Sequence, residues 1–353
     1  MSIYTQSLLM AFGLSVIFMW TFLWLARKRH FFIQPIRDRD NHKTPTPRVG
    51  GLAIIATFFV MVVYWQIRDS SVFNFSNLFW HGININLLGL LMALLLLTFV
   101  NIIDDFKGLP WWIKLISQFA AAIIVFSFGI KIPSLTNPFG NMVALGGISA
   151  VFVVMWLVML SNAINWLDGM DGLAGGVTSI SLLILFLLSM SPAIEQKENA
   201  MLAIITLGAV IGFLPFNLPP ASAFMGDTGA VFLGFLIGVV AIISGGKIAT
   251  AFLVLAVPFL DAFAVIVQRL LNHQSPFKAD RRHLFHHLQN MGWKTWWILI
   301  LFYSASGIMG VLALYAQSKG KFYAGIIAII LIAMFTIVNM MYFSKKRALN
   351  ADQ

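Results

Sequence analysis

The stretch Leu87-Leu-Gly-Leu-Leu-Met-Ala-Leu-Leu-Leu-Leu-Thr-Phe-Val-Asn101-Ile-Ile-Asp104-Asp105 is apolar almost throughout and stops on two adjacent acids. A bilayer core takes roughly 20 apolar residues of helix to cross, so this run reads as one membrane span. Ten other runs read the same way. The spans fall at about 3–26, 50–67, 84–103, 111–130, 148–165, 173–191, 199–216, 228–243, 248–270, 295–316 and 322–343. Of 353 residues, 59% are hydrophobic and 10% charged. A soluble domain is about half apolar and a quarter charged, so a water-soluble fold is excluded. The polar stretches 27–49 and 271–294 are too short to build a core of their own. The expected fold is therefore all-α and polytopic, with about eleven transmembrane helices in one integral-membrane domain over 1–353. The chain has no cysteine, which rules out disulfides and thiolate-bound zinc.

Orientation follows from the basic residues. Segment 27–49, the turn near 104–114, segment 269–294 and the C-terminal tail share 17 Lys and Arg, against 6 on the opposite side. The expectation is an N-terminus outside and a C-terminus in the cytoplasm. Trp24, Trp65, Trp80, Trp111, Trp112 and Trp293 fall near span ends, where an amphipathic indole prefers to sit. The first run is not read as a cleaved signal peptide, because Arg27-Lys28-Arg29 follows the apolar stretch instead of preceding it. The net charge of +10 reads as an insertion and anionic-lipid signal. Spread over several loops, it does not suggest nucleic-acid binding.

The acids are few and unevenly placed. Asp104, Asp105, Asp168, Asp171 and Asp227 all follow odd-numbered spans, so they share one face, the cytoplasmic one on this orientation. Two like charges 4 Å apart repel by ~4 kcal/mol at an effective dielectric of 20. Five carboxylates in a small volume therefore require raised pKa values, basic partners or a bound cation. Oxygen ligands without cysteine favour Mg²⁺ or Mn²⁺, and Mg²⁺ takes only one or two carboxylates beside phosphates and waters.

Four segments carry the candidate chemistry. In Asp104-Asp105-Phe-Lys-Gly108-Leu-Pro110, two acids close a helix against its dipole, a local conflict of the kind that marks sites. In Asn162-Ala-Ile-Asn165-Trp-Leu-Asp168-Gly-Met-Asp171-Gly172, polar residues recur every third position along one helical stripe, and Asn165 offers a neutral oxygen. In Asn217-Leu-Pro-Pro-Ala-Ser-Ala-Phe224-Met-Gly226-Asp227-Thr228-Gly229, a helix begins whose exposed amides would suit an anion. Asp227 stands beside it, and Phe224 is placed to stack on a base. The last segment, Lys278-Ala-Asp-Arg281-Arg282-His283-Leu-Phe-His286-His287, gathers cations and imidazoles suited to phosphate oxygens. Basic segment 41–51, with Lys43, is a second phosphate candidate. Asp261 lies inside a span, where an acid either faces a site or hydrogen-bonds a neighbouring helix.

In order and together, these segments resemble the polyprenyl-phosphate N-acetylhexosamine-1-phosphate transferases, and the likeness extends from Lys43 to His287. It implies transfer of a sugar 1-phosphate from a UDP-sugar to undecaprenyl phosphate with release of UMP, Mg²⁺ as cofactor (Mn²⁺ as the alternative), and ten or eleven spans. It further implies Asp227 as metal ligand with Asn165 as a second. Asp171, Asn217 and Phe224 would read uridine, Asp104 and Asp105 would serve the lipid phosphate, and Asp168 would be an essential acid. Lys43, Arg281, Arg282, His283, His286 and His287 would lie near the phosphates. The last loop looks more like the branch that starts O-antigen and common-antigen glycans of lipopolysaccharide from UDP-GlcNAc than the branch using UDP-MurNAc-pentapeptide. It departs from that branch in carrying two residues, Leu284 and Phe285, between the first His and the pair, where the pattern has one. The resemblance implies a multi-pass enzyme of the bacterial inner membrane with its site on the cytoplasmic face, and admits a homodimer. Another N-acetylated UDP-sugar stays open. A polytopic lipid or ion transporter is the rival class, which would want acids near the midplane and paired broken helices.

Overall fold

The structure is a computed structural model that describes residues 1–29, 46–192, 194–244, 248–271, 283–330 and 334. Its helices are α1 (Ile3–Arg29), α2 (Gly50–Arg68), α3 (Ile85–Lys107), α4 (Trp111–Ser127), α5 (Ile148–Leu167), α6 (Leu173–Ser189), α7 (Lys197–Asn217), α8 (Gly226–Ile243), α9 (Ile248–Val254), α10 (Ala256–Leu271), α11 (Leu284–Asn290) and α12 (Thr295–Tyr315). Two small antiparallel hairpins, β1 (Phe79–Trp80) with β2 (Ile83–Asn84) and β3 (Ser134–Leu135) with β4 (Val143–Ala144), turn the chain between α2 and α3 and between α4 and α5. The protein is thus an all-α polytopic membrane protein.

Among the described residues seven helices, α1, α2, α3, α5, α7, α8 and α12, are long and apolar enough to cross a membrane; α4 and α6 are apolar but shorter. The run at 248–270, expected as one continuous span, is instead α9 and a straight segment Phe259–Arg269 bent by 80°. Pro258 lies in the first turn of α10 and has no amide with which to continue the hydrogen-bond ladder from α9, which accounts for the break. Residues 318–330 are helical, and the rest of the eleventh expected span lies outside the described residues. Helix α3 runs to Lys107, so Asp104 and Asp105 belong to its last turn, not to the loop after it.

Helix α8 forms the centre of the bundle. Its span is 89% buried and that of α7 78%, against 22% for α1. An apolar helix buried on all sides is what a sequence with no polar face should give. Helix α5 lies antiparallel along α8, with the Trp156 indole donating to the Gly238 carbonyl (3.2 Å) at one end and the Gly226 amide donating to Asp168 at the other. That register sets Asn165 opposite the first turn of α8, one helical turn deeper than Asp168. The ends of α3, α5 and α7 and the starts of α2, α4, α6 and α8 accordingly meet on one side of the bundle, away from both hairpins.

Candidate active site

Seven helix ends on one face leave many backbone groups without an intrahelical partner, and the fold pairs them across elements. The first amides of α2 donate outward, Gly50 to the Phe224 carbonyl and Gly51 to that of Met225 (both 2.9 Å). The Phe224 amide returns a bond to Pro47 (2.9 Å). Gly51 is required here: a Cβ on it would sit 2.5–2.6 Å from the backbone of Gly229. This clamp fixes Arg48 beside the start of α8.

The start of α8 was expected to offer its amides to a phosphate. In the structure it offers them to carboxylates of the chain itself. Thr228 donates to Asp105 Oδ2 through its hydroxyl (2.5 Å) and its amide (3.3 Å), and the Gly226 amide bonds Asp168. Negative charge at a helix N-terminus is favourable, so the dipole of α8 stabilises two acids delivered by α3 and α5. This answers the conflict at the end of α3, where both acids oppose their own helix. Asp104 is compensated separately. Its Oδ1 accepts from the Leu109 amide (2.7 Å), across a turn that Gly108 makes in the left-handed region (φ 67°).

Lys114, on the first turn of α4, joins the remaining acids. Its ammonium lies 2.8 Å from Asp104 Oδ2 and 3.1 Å from Asp227 Oδ2. Arg48 stands 4.0 Å from Asp105 Oδ1. Asp104, Asp105, Asp168 and Asp227 therefore form one knot with two cations in it. Burial, then the neighbouring charge of Asp227, pushes the Asp168 carboxyl well above the usual carboxylate range, against the pull of Arg48 and the Gly226 amide. The residue keeps part of its surface open, but its carboxyl is enclosed. Of the three remedies that crowded carboxylates require, two are built in: basic partners and a raised pKa.

The fifth acid has a different contact. Asp171 Oδ2 accepts from the Ala221 amide (3.1 Å) in the loop before α8. Asn217 is buried with its amide engaged in bracing that loop. Its Oδ1 accepts from Gly172 (3.0 Å) and its Nδ2 donates to the Ala223 carbonyl (3.0 Å). Phe224 is held by its backbone bonds to Pro47 and Gly50, with its ring partly open. Tyr303 of α12 closes the far side of the turn, donating to the Gly172 carbonyl (2.6 Å).

Helix α11 covers the turn after α5. Phe285 packs where a side chain on Gly169 would be, since a Cβ there would meet its ring at 2.7 Å. His283 stacks parallel to Phe285 with ring centres 5.8 Å apart, and His286 lies 4.2 Å from it on the other side. The two-residue spacer thus has a steric role: Phe285 is the contact between the histidine segment and the Asp168–Gly169 turn. His286 and His287 lie on α11, their amides bonded to the His283 carbonyl (2.9 and 3.2 Å). Lys43, Arg281 and Arg282 lie outside the described residues.

The sequence did not mark Lys114 or Tyr303 as parts of this site, while Arg48 and Thr228 lay within the segments 41–51 and 217–229 already named as candidates. Lys114 had a legible signal, being a lone cation set into an apolar helix start seven residues after Lys107. Tyr303 had none, and the partners of Arg48 and Thr228 were not legible, because only the packing of distant helices supplies them.

Among the described residues no three His, Asp or Glu side chains come together as a metal cage. The donor set still fits a hard cation that completes its shell with phosphate oxygens: Asp227 is the more open acid of the Lys114 pair, with a third of its side chain exposed, and Asn165 lies one turn back along α5 from Asp168.

Residues 87–245 match the family described as glycosyl transferase family 4. That family is matched over a little under half of the chain. Its members are polyprenyl-phosphate sugar-phosphate transferases, membrane enzymes that use a nucleotide sugar and a polyprenyl phosphate lipid. The matched region contains all five of the candidate acids and Lys114. The chain is 29% identical, over 85% of its length and 82% of the relative's, to a probable undecaprenyl-phosphate N-acetylglucosaminyl 1-phosphate transferase of Bacillus subtilis. It is also 29% identical to a decaprenyl-phosphate N-acetylglucosaminephosphotransferase of Mycobacterium leprae, over 77% of this chain and 74% of that one. A phospho-N-acetylmuramoyl-pentapeptide-transferase of Staphylococcus aureus matches at 29% over 82% and 91%.

Proposed function

We propose that this protein is a polyprenyl-phosphate sugar-phosphate transferase that moves GlcNAc 1-phosphate from UDP-GlcNAc to undecaprenyl phosphate, giving undecaprenyl-diphospho-GlcNAc and UMP, at the cytoplasmic face of a bacterial inner membrane. The observation that carries the reading is the knot of Asp104, Asp105, Asp168 and Asp227 threaded by Lys114 and Arg48 at one end of the bundle. A phosphoryl transfer between two anions needs positioned cations and little else, and this cluster is an arrangement of charge at the membrane surface. Two of the relatives above carry N-acetylglucosamine in their names, which together with the histidine segment favours GlcNAc over a muramoyl-pentapeptide donor.

A phosphate oxygen of the lipid attacks the β-phosphorus of the nucleotide sugar, the bond to the bridging oxygen breaks, and UMP leaves with that oxygen's electron pair. At neutral pH the lipid phosphate is already largely ionised, so Asp104 and Asp105 position charge and need not remove a proton. A Mg²⁺ held by Asp227, with Asn165 beside it, would neutralise the diphosphate. Lys114 and Arg48 sit where a ligand phosphate would replace their present carboxylate partners. Asp168, with its carboxyl held protonated to a higher pH than usual, limits repulsion toward an incoming diphosphate. Asp171 and Phe224, flanking the loop before α8, are the groups proposed to meet the uracil. Asn217 serves that end by holding the loop.

The transporter reading is weakened by Asp261. That acid, the one intramembrane candidate such a role would use, has both carboxylate oxygens engaged, by His283 and the Leu284 amide.

The test is to incubate the purified chain with undecaprenyl phosphate, Mg²⁺ and a panel of labelled UDP-sugars and to identify the lipid product. GlcNAc-labelled lipid with release of UMP is expected. Label from a different sugar would refute the donor, and release of UDP would refute the reaction class.

A further inference from the structure

The acid on α10 and the histidine before α11 are 22 residues apart in the chain and in direct contact in the fold. Asp261 Oδ2 lies 2.9 Å from His283 Nδ1, and Asp261 Oδ1 accepts from the Leu284 amide at 2.7 Å. Both residues are at least 91% buried. Where Asp261 is the acceptor, Nδ1 is the donor of this bond. The other ring nitrogen, Nε2, is then the one left for a ligand. The second bond holds the backbone at the start of α11, and the parallel stack of His283 on Phe285 holds the plane of the imidazole. Phe285 in turn rests on Gly169, next to Asp168. Tautomer, ring plane and backbone are thereby all set by contacts other than the substrate's.

An acid in this setting is costly, and each of its oxygens is engaged by the histidine segment. We infer that Asp261 is a positioning residue of the transfer reaction: it fixes His283 with Nε2 presented to the phosphates, and ties α10, the helix beyond the 80° break, to the active-site turn. The inference rests on the proposed reaction. It adds to it a group that touches no substrate and acts through the histidine it holds. Misplacement of a reacting or binding group by a fraction of an ångström is felt in the rate more than in binding, which makes the role separable from mere packing.

The experiment uses the full chain in lipid nanodiscs, with undecaprenyl phosphate, UDP-GlcNAc and Mg²⁺. Asp261→Asn should lower kcat by about tenfold or more with KM for UDP-GlcNAc within about twofold, and Asp261→Glu should recover part of that loss. His283→Gln should cause a loss of similar size. Asp261→Asn added to His283→Gln should then cost no more than about twofold further, since the acid acts only through the ring. A wild-type kcat in Asp261→Asn overturns the inference, and so does a double variant whose losses multiply. If Asp261→Asn does not fold, His283→Gln decides, and wild-type turnover by that variant refutes a positioned histidine. A wild-type chain that makes no lipid product from any UDP-sugar sinks the proposed reaction and this inference with it. An active wild type with an indifferent Asp261→Asn sinks the inference alone.

Discussion

Lys114→Met removes one charge and keeps most of the side chain's bulk. In the structure one ammonium serves two carboxylates, at 2.8 and 3.1 Å, so the Asp104 and Asp227 oxygens it bridges lie no more than 5.9 Å apart. Without the ammonium, two negative charges at that separation repel by roughly 3 kcal/mol at an effective dielectric of 20. Some of this is screened, because Lys114 and Asp227 are a quarter to a third exposed. A net loss of roughly 1–2 kcal/mol remains, seen as a melting temperature lower by a few degrees. The same repulsion makes the pair a better trap for a divalent cation. The variant should therefore reach half-maximal rate at a Mg²⁺ concentration lower by up to about tenfold, while kcat falls by about a hundredfold because a phosphate has lost its cation. The assay is a Mg²⁺ titration of initial rates for wild type and variant in nanodiscs, with melting curves in parallel. Unchanged half-saturation together with an unchanged kcat would refute the reasoning, since it would mean that Lys114 neither guards the acids nor serves the substrate.

Three other outcomes are expected. Asp168→Asn should melt at a higher temperature than wild type. An acid whose carboxyl is raised on folding loses stability as pH climbs from its unfolded value near 4 toward the raised one, so the variant's advantage should be absent at pH 4 and grow above it. A gap that shrinks with rising pH would contradict this. Thr228→Val deletes the hydroxyl that Asp105 accepts at 2.5 Å and should cost about 1–3 kcal/mol with a clear loss of turnover, whereas Thr228→Ser should retain both stability and rate. Gly51→Ala should fail to give stable protein by size-exclusion chromatography, because the added methyl would meet the Gly229 backbone at 2.5–2.6 Å and neither helix start can retreat without breaking the Gly50 and Gly51 bonds.

The class of fold was legible from residue order, and so were four of the five acids expected to cluster; the fifth, Asp171, bonds the Ala221 amide instead. Apolar runs of bilayer length dictate helices, because no other open structure can satisfy its backbone groups in lipid. Alternation of those runs then puts Asp104, Asp105, Asp168 and Asp227 on one face whatever the packing. The ninth run, 248–270, is bent by 80° rather than straight, and Pro258 was there to be weighed. The helix start of α8 was read rightly as an anion site and wrongly as vacant for phosphate: local sequence shows that amides are exposed, but not which carboxylate of another helix takes them.

What residue order alone determined here is which segments enter the bilayer and which charged groups emerge together, since both depend on hydrophobic length and on counting crossings. What tertiary structure alone decided is who pairs with whom: Lys114 between Asp104 and Asp227, Arg48 beside Asp105, Thr228 under the same acid, and Asp261 holding His283. Transfer into a membrane is a property of each segment summed over its own residues. A hydrogen bond or ion pair depends instead on distances of a few ångströms between groups tens to more than a hundred residues apart, and those are set by how the helices pack.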